Sequence, residues 1–280
     1  MSRNFLSEIV ARKRQVVARL RANGSMDAYR ARALEIRKNT ASHRLLRALE
    51  PKPDFLKIIA EFKRRSPSLG VIRDELSASD VARGYERGGA CAISVLTDEE
   101  YFGGSIIDLS AVRVSTELPV LRKDFIIDGI QVYEAASAGA DAVLLIVAAL
   151  DDVSLVKLRK IAESELGLDA VIEVHTSDEL RRAVKAGAKI IGVNNRDLKT
   201  FRVSLTTSER LIAEALPDSV MISESGLQTA ESLRHLRTLG FRGFLIGEAL
   251  MRARDPETAL RDLIAAVEDR KVTSTGARQS

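Results

Sequence analysis

The sequence predicts an α/β protein, a (β/α)8 TIM barrel that follows an N-terminal helical extension. Three observations predict this fold class: the chain has 280 residues, short apolar runs alternate with amphipathic segments, and one pattern recurs about every fifty residues. Strict alternation of strands and helices produces right-handed crossovers and a parallel sheet. The regular period favours a closed sheet over a doubly wound one, and the chain contains neither a G-x-G-x-x-G nor a Walker sequence.

We expect three regions along the chain. Residues 1–50 form the helical extension packed on the barrel, residues 51–268 form the barrel, and residues 269–280 form a polar C-terminal tail. The extension is strongly basic, for example at Arg12-Lys13-Arg14. It is therefore either a solvated helical face or a cap over the mouth of the barrel.

Eight strands follow from two sets of apolar runs. Four runs accompany small-residue turns at Gly89, Gly139, Gly187 and Gly240, which recur at steps of 50, 48 and 53 residues. The other four alternate with these, at residues 57–62, 120–123, 170–174 and 220–223. Helices are predicted from apolar residues at helical spacing and from their boundary residues. One begins at Asp151-Asp152, one ends at Pro217, one lies between Thr229 and Gly240, and the last begins at Asp255-Pro256.

Charged and polar residues are concentrated at the carboxyl ends of the predicted strands. Only the fourth strand, through residues 144–147, ends without a charge, and the opposite ends carry mostly Pro, Gly and Ala. Active sites of such barrels lie at the carboxyl ends, so we expect lysines, arginines and carboxylates to share one cavity. Charges this close shift each other's pKa values and favour proton transfer. No nucleophile triad or metal-ligand spacing is evident, which predicts acid–base catalysis without a metal or another cofactor.

Each candidate also has a structural interpretation. Glu61 and Lys63 lie on the same side of the first strand, and they form either an acid–base pair or an ion pair in the barrel wall. Lys123 is either catalytic or a lysine at the rim. Glu173 is either catalytic or part of a loop anchor with His175, which we interpret as a structural histidine.

The loops after the last two strands predict a phosphate site. Ser225-Gly226 and Gly247-Glu248 follow strands seven and eight, where barrels often hold phosphate with backbone N–H groups. Glycine permits the close approach of the backbone. The alternative is that both glycines serve tight turns.

Composition argues against several other classes of protein. Lysine and arginine number 43 and aspartate and glutamate 39, a net charge of +4 that suits anionic substrates as well as nucleic acid. Aromatic residues make up 4% of the chain without any Trp, so stacking platforms for nucleic acid are scarce. One cysteine, Cys91, excludes an internal disulfide. The absence of a long apolar run or a signal peptide predicts a cytoplasmic protein without membrane contact.

Five ordered motifs resemble indole-3-glycerol-phosphate synthase. They are IAEFKRRSPS at 59–68, LRKDF at 121–125, IEVH at 172–175, GVNNRDL at 192–198 and ISESG at 222–226. The resemblance runs from near the N-terminus to about Leu263. One departure is Gly129-Ile130, where many relatives have Pro-Tyr, and it touches none of the candidate catalytic positions.

The resemblance implies a carboxy-lyase of tryptophan biosynthesis. It would convert 1-(2-carboxyphenylamino)-1-deoxyribulose 5-phosphate to indole-3-glycerol phosphate with loss of CO2 and water, as a monomer or weak homodimer. Lys123 would be the general acid, Glu173 the base, and Lys63 the partner of the substrate carboxylate. The implied catalytic residues are Glu61, Lys63, Lys123, Glu173, Asn194 and Glu224. The implied substrate-binding residues are Ser66, Phe125, Arg196, Ser225, Gly226, Gly247 and Glu248.

Three other functions stay open at this point. A Schiff-base aldolase would use Lys123 or Lys63 as its nucleophile. A sister phosphate barrel would isomerise a ribulosyl phosphate. A non-catalytic regulator would bind phosphates or RNA through the basic extension, with strong dependence on salt.

Overall fold

The computed structural model describes residues 5–50, 55–198, 200–216 and 218–268. Eight parallel strands close into a barrel in chain order, because β1 pairs with β2 on one side and with β8 on the other. The predicted fold class is confirmed. The strands are β1 (Ile58–Phe62), β2 (Ala92–Leu96), β3 (Val120–Lys123), β4 (Ala142–Ile146), β5 (Asp169–Val174), β6 (Ile190–Asn194), β7 (Val220–Glu224) and β8 (Gly243–Ile246).

Helices precede the barrel and connect its strands. The extension contains α1 (Phe5–Asn23), α2 (Met26–Arg37) and α3 (Arg44–Ala48). The crossovers contain α4 (Ala78–Arg87), α5 (Glu99–Phe102), α6 (Ile106–Arg113), α7 (Gly129–Ser137), α8 (Asp152–Lys160), α9 (Ser177–Lys185), α10 (Thr206–Ile212) and α11 (Ala230–Leu239). Two helices, α12 (Glu248–Arg252) and α13 (Pro256–Glu268), follow β8.

Capping residues set several of these boundaries as predicted. Asp151 caps α8 and Thr229 caps α11, each by accepting a backbone N–H from the first turn. Gly240 ends α11 at φ 116°, a left-handed conformation that glycine adopts without strain. The helix predicted to reach Pro217 is shorter, since α10 ends at Ile212. Pro217 and the predicted tail at 269–280 lie outside the described residues.

Alternation along the strands divides the apolar core into two parts. Ile58 and Ala60 point outward and pack under the helices, whereas Ile59 points into the barrel. Leu45 and Leu49 of α3 join the inner cluster, so the extension fills the amino end of the barrel. At the opposite end, Ile9 of α1 belongs to the same cluster.

Two buried carboxylates hold the extension to the amino end of the barrel. Asp141 contacts Arg37 at 3.3 Å and both Arg44 and Arg113 at 2.8 Å. Asp169 accepts from the Leu46 N–H at 3.0 Å. We expected mostly Pro, Gly and Ala at these strand ends and did not predict the ion pairs of Asp141 or the hydrogen bond of Asp169. The sequence shows that a residue is charged, but it does not show which distant residue that charge contacts.

Candidate functional site

The carboxyl ends of the strands surround a cavity of about 450 Å³. All the residues predicted for catalysis and substrate binding lie in its wall. They are Glu61, Lys63, Ser66, Lys123, Phe125, Glu173, Asn194, Arg196, Glu224, Ser225, Gly226, Gly247 and Glu248. Side chains that are up to 187 positions apart, from 61 to 248, therefore share one pocket.

Lys123 stands at the centre of the polar part of this cavity. Its Nζ lies 3.0 Å from Glu173 Oε2 and 3.1 Å from Glu224 Oε2. These residues end or nearly end β3, β5 and β7, and Glu61 occupies the corresponding part of β1. Alternate strands of a barrel contribute side chains to the same layer, which explains why these groups meet. The ammonium group is held between two carboxylates.

A second ion pair joins Glu61 and Lys63. Lys63 Nζ lies 2.8 Å from Glu61 Oε1, and the Glu61 side chain is 6% exposed. Glycines make room for the buried carboxylates. A Cβ added at Gly247 would lie 2.4 Å from Glu61 Oε1, and one added at Gly192 would lie 2.1 Å from Glu224 Oε1. These positions tolerate no side chain while the carboxylates keep their places.

The three central groups titrate in different ways. Burial alone lowers the pKa of Lys123, but the facing carboxylates, chiefly Glu173 and then Glu224, outweigh it and raise that pKa. Burial raises the pKa of Glu173, but Lys123, followed by His175, reverses the shift and leaves the pKa low. Burial outweighs Lys123 at Glu224 and, with the like charges of Glu173 and Glu61, raises the pKa of Glu224 to about 7. The cavity therefore holds a charged lysine beside carboxylates that differ in basicity.

His175 lies behind the cavity wall. Its Nδ1 lies 3.1 Å from Glu179 Oε2, and its backbone N–H donates to the same oxygen at 2.7 Å. These bonds tie the end of β5 to α9, as the loop-anchor interpretation expects.

Asn194, Asn195 and Arg196 follow one another at the end of β6. The Asn194 Oδ1 accepts from the Arg196 N–H at 3.0 Å, and the Asn194 side chain contributes to lowering the pKa of Glu173. Asn195 is buried and donates to the Glu224 carbonyl at 3.0 Å. Of this pair, Asn194 lines the cavity, whereas Asn195 bonds the turn after β6 to the end of β7.

Arg196 connects three loops around the cavity. Its guanidinium donates to the Phe201 carbonyl at 3.2 Å, to Ser68 Oγ at 3.3 Å and to Glu248 Oε2 at 3.3 Å. Ser68 lies in a two-strand hairpin, Arg65–Ser66 with Gly70–Val71, that the sequence did not predict. Arg196 therefore links the loops after β1, β6 and β8.

The predicted phosphate loops bend sharply toward the cavity. Ser225 has φ 67° and Gly226 has φ 75°, two successive residues in the left-handed region. A Cβ at Gly226 would also lie 2.4 Å from Val203. Gly247 immediately precedes α12, and Ser66 lies across the cavity from these loops in the same wall.

An apolar wall completes the cavity and was not predicted residue by residue. Phe5, Leu6 and Ile9 of α1 line it together with Leu198 and Phe201. The Phe5 ring packs edge-on against Phe201 at 4.9 Å. The sequence did contain a signal for this wall, namely apolar residues at the start of an otherwise basic extension. The position of α1 agrees with the interpretation of the extension as a cap over the mouth of the barrel.

Comparison with known proteins identifies the same family as the motifs. A sequence model described as "Indole-3-glycerol phosphate synthase" matches residues 6–263. The indole-3-glycerol phosphate synthase of Carboxydothermus hydrogenoformans is 45% identical over 269 residues, covering 93% of this chain and 100% of the relative. Indole-3-glycerol phosphate synthase 1 of Streptomyces coelicolor is 44% identical over 265 residues, covering 95% and 96%.

Solved structures with lower identity share the fold. The 3-hexulose-6-phosphate synthase of Salmonella typhimurium aligns with a TM-score of 0.60 and 16% identity, covering 76% of this chain and 99% of that one. Thiamine phosphate pyrophosphorylase from Pyrococcus furiosus aligns at 0.58 and 20% identity, covering 77% and 97%. Within the described ranges, no helix is both long and apolar enough to cross a membrane.

Proposed function

Because the chain belongs to the indole-3-glycerol phosphate synthase family, we propose that its cavity carries out that family's reaction with the roles assigned below. The enzyme is a carboxy-lyase of tryptophan biosynthesis. It closes the ring of 1-(2-carboxyphenylamino)-1-deoxyribulose 5-phosphate and releases CO2 and water. Ring closure breaks aromaticity and generates a cation, whereas attack on the carbonyl generates an alkoxide. The site must therefore supply both negative charge and a proton.

Lys123 is the general acid of ring closure. The single observation that carries this assignment is its Nζ, 3.0 Å from Glu173 and 3.1 Å from Glu224, in the wall of the cavity. The two carboxylates keep the amine protonated, as an acid requires. The raised pKa also argues against Lys123 as a Schiff-base nucleophile, which must be neutral to attack.

Glu173 is the base of the dehydration step. Its lowered pKa keeps the carboxylate ionised near neutral pH. Glu61 stabilises the positive charge that develops at the anilino nitrogen. Lys63, paired with Glu61 at 2.8 Å, faces the substrate carboxylate and assists departure of the hydroxyl. Asn194 and Glu224 orient the sugar hydroxyls and the lysines.

Substrate binding divides between the two ends of the cavity. Ser66, Ser225 and the backbone around Gly226, Gly247 and Glu248 hold the phosphate. The apolar wall, including Phe125 and the α1 side chains, receives the aromatic ring. Arg196 supports the loops and the carboxylates. We assign this activity to a monomer or weak homodimer in the cytoplasm that acts on a phosphorylated small molecule without nucleic acid.

The decisive assay follows the fluorescence of the indole product after the carboxyphenylamino substrate is added to purified protein without a metal. Lys123→Ala should lower turnover by at least about 10²-fold, since a positioned acid contributes about 10²–10⁴-fold, while substrate binding is largely kept. Lys185→Ala, at an exposed position on α9 away from the cavity, is the matched control and should keep the wild-type rate.

Turnover of Lys123→Ala near the wild-type rate would contradict the assigned acid. Borohydride trapping of a ketose phosphate on the wild-type chain, without indole product, would favour the aldolase alternative. Salt-dependent RNA binding without turnover would favour the regulator.

A further inference from the structure

Glu173 has a different partner at each of its two oxygens. Oε2 accepts from Lys123 at 3.0 Å. Oε1 faces His175, whose Nε2 lies 3.5 Å away, is buried and forms no hydrogen bond with the described residues. Both side chains are almost fully enclosed, with 2% of the Glu173 side chain and 12% of the His175 side chain exposed.

The hydrogen bond at the other ring nitrogen fixes how His175 faces Glu173. Glu179 Oε2 is an acceptor, so Nδ1 of His175 must carry a hydrogen to bond to it at 3.1 Å. A neutral ring would then present a lone pair on Nε2 to a carboxylate oxygen, and two acceptors repel. A ring that is protonated at both nitrogens directs an N–H toward each carboxylate, so the Nε2 contact with Glu173 at 3.5 Å becomes attractive.

We infer that His175 is a positioning residue for Glu173: an imidazolium held by Glu179, whose Nε2–H orients the Glu173 carboxylate through Oε1 and leaves Oε2 to Lys123 and the substrate. The inference rests on the proposed role of Glu173 as the base. It changes the interpretation of His175 from a loop anchor alone to a group that acts on a catalytic residue.

The charged groups around the ring support this protonation state. Glu179 of α9, Glu173 of β5 and Glu224 of β7 all face His175. Burial by itself lowers the pKa of His175, but these carboxylates, led by Glu179, outweigh it and raise that pKa. In return, His175 is second to Lys123 among the groups that lower the pKa of Glu173.

The test compares two variants in the product-fluorescence assay across a range of pH. His175→Gln keeps an N–H donor but no titratable charge, whereas His175→Leu has neither. Without the imidazolium, the pKa of Glu173 rises, so both variants should show the acidic limb of the kcat profile at higher pH. On the plateau, His175→Gln should stay within about threefold of wild type, and His175→Leu should lose about tenfold or more in kcat with little change in KM.

Two further variants separate this role from packing. Glu179→Gln keeps an oxygen acceptor for the His175 N–H groups but removes the charge that favours the imidazolium, so its acidic limb should also move upward. It serves as the second measurement where His175→Leu does not fold. His235→Gln is the matched control, because His235 forms an exposed pair with Glu209 at 2.9 Å outside the cavity, and its profile should be unchanged.

The outcomes distinguish the inference from the proposed function. The inference would be overturned if the acidic limb of the kcat profile lay at the wild-type pH in both His175→Gln and Glu179→Gln. It would also be overturned if His175→Gln and His175→Leu lost the same fraction of kcat at every pH. A wild-type enzyme that makes no indole product, or a Glu173→Gln variant with full activity, would instead overturn the proposed function on which it rests.

Discussion

At the scale of single residues, identical side chains acquire different properties from their neighbours. Glu173 and Glu224 both contact Lys123, yet the pKa of Glu173 is lowered and that of Glu224 is raised to about 7. Burial opposes ionisation of both. Glu173 gains His175 and the Asn194 amide as further partners, whereas Glu224 faces Glu173 and Glu61, two groups of like charge. No pattern in the sequence predicts that the pKa values of Glu173 and Glu224 shift in opposite directions.

The raised pKa of Glu224 predicts a specific dependence of stability on pH. Between the ordinary glutamate pKa of 4.5 and about 7, the folded state binds more protons at this site than the unfolded state does. The free energy of unfolding therefore falls as pH rises through that window. Glu224→Gln has no carboxyl group to ionise, so its free energy of unfolding should not fall in this way. The difference in unfolding free energy, variant minus wild type, should therefore increase from pH 5 to pH 8 by on the order of 2 kcal/mol.

Urea unfolding at a series of pH values measures this difference. Glu231→Gln, at an exposed position in the first turn of α11, should follow the wild-type pH dependence. A constant difference between Glu224→Gln and wild type across pH 5–8 would show that Glu224 ionises normally.

At the scale of elements, α1 is fixed to the carboxyl end of the barrel by a buried charge cluster. Lys13 Nζ lies 2.8 Å from Asp98, after β2, and 2.5 Å from Asp124, which directly follows Lys123. All three side chains are nearly buried, and the pKa of Asp124 falls to about 2 because Lys13 and then Arg122 outweigh its burial. The helix that supplies the apolar wall is thus bonded to the residue that directly follows the proposed acid at the end of β3.

Lys13→Met should strongly destabilise the fold. It removes the cation that the buried Asp98 and Asp124 share, and among the described residues only Asp124 keeps another, Arg122 at 3.1 Å. Breaking a buried pair in this way typically costs about 3–5 kcal/mol. Denaturant unfolding at neutral pH measures the loss. Arg12→Met is the neighbouring control, because Arg12 and Glu100 are each about half exposed, and the change should stay below about 1 kcal/mol. Equal effects of the two substitutions would refute the argument from burial.

The sequence predicted the elements to different degrees. Apolar spacing and capping residues located α11 between Thr229 and Gly240, because those signals are local. The hairpin of Arg65–Ser66 and Gly70–Val71 was not predicted. Each strand has only two residues, and the turn residues at 66–70 predict a loop rather than strands. The two short strands are held together by a hydrogen bond beside them, which the Ile72 N–H donates to the Arg64 carbonyl at 2.7 Å.

At the scale of the whole molecule, the two ends of the barrel carry charge for different purposes. The carboxyl end contains the proposed catalytic groups, whereas Asp141 at the amino end bonds to arginines of α2 and α6 and to the start of α3. Asp141 is 1% exposed and also accepts from the Val120 N–H at 3.1 Å. Such charges stabilise the barrel without approaching substrate.

Asp141→Asn should therefore reduce stability and spare catalysis. Three arginines lose their shared carboxylate, which we expect to cost about 3–5 kcal/mol in unfolding free energy. In protein that remains folded at 25 °C, kcat should stay within about twofold of wild type. Asp152→Asn, which removes an exposed partner of Arg182, should change stability by less than about 1 kcal/mol. A large fall in kcat without a loss of stability would contradict this division between the ends.

The sequence by itself determined the eight strands, the order of the motifs and the side chains available at each carboxyl end. It did so because alternation, capping and turn chemistry act between near neighbours. Tertiary structure decided that Lys123 lies between Glu173 and Glu224, that α1 closes the cavity with Phe5 and that His175 faces the Glu173 carboxylate. These contacts depend on barrel closure and on burial, which set distances and pKa values between residues far apart in the chain.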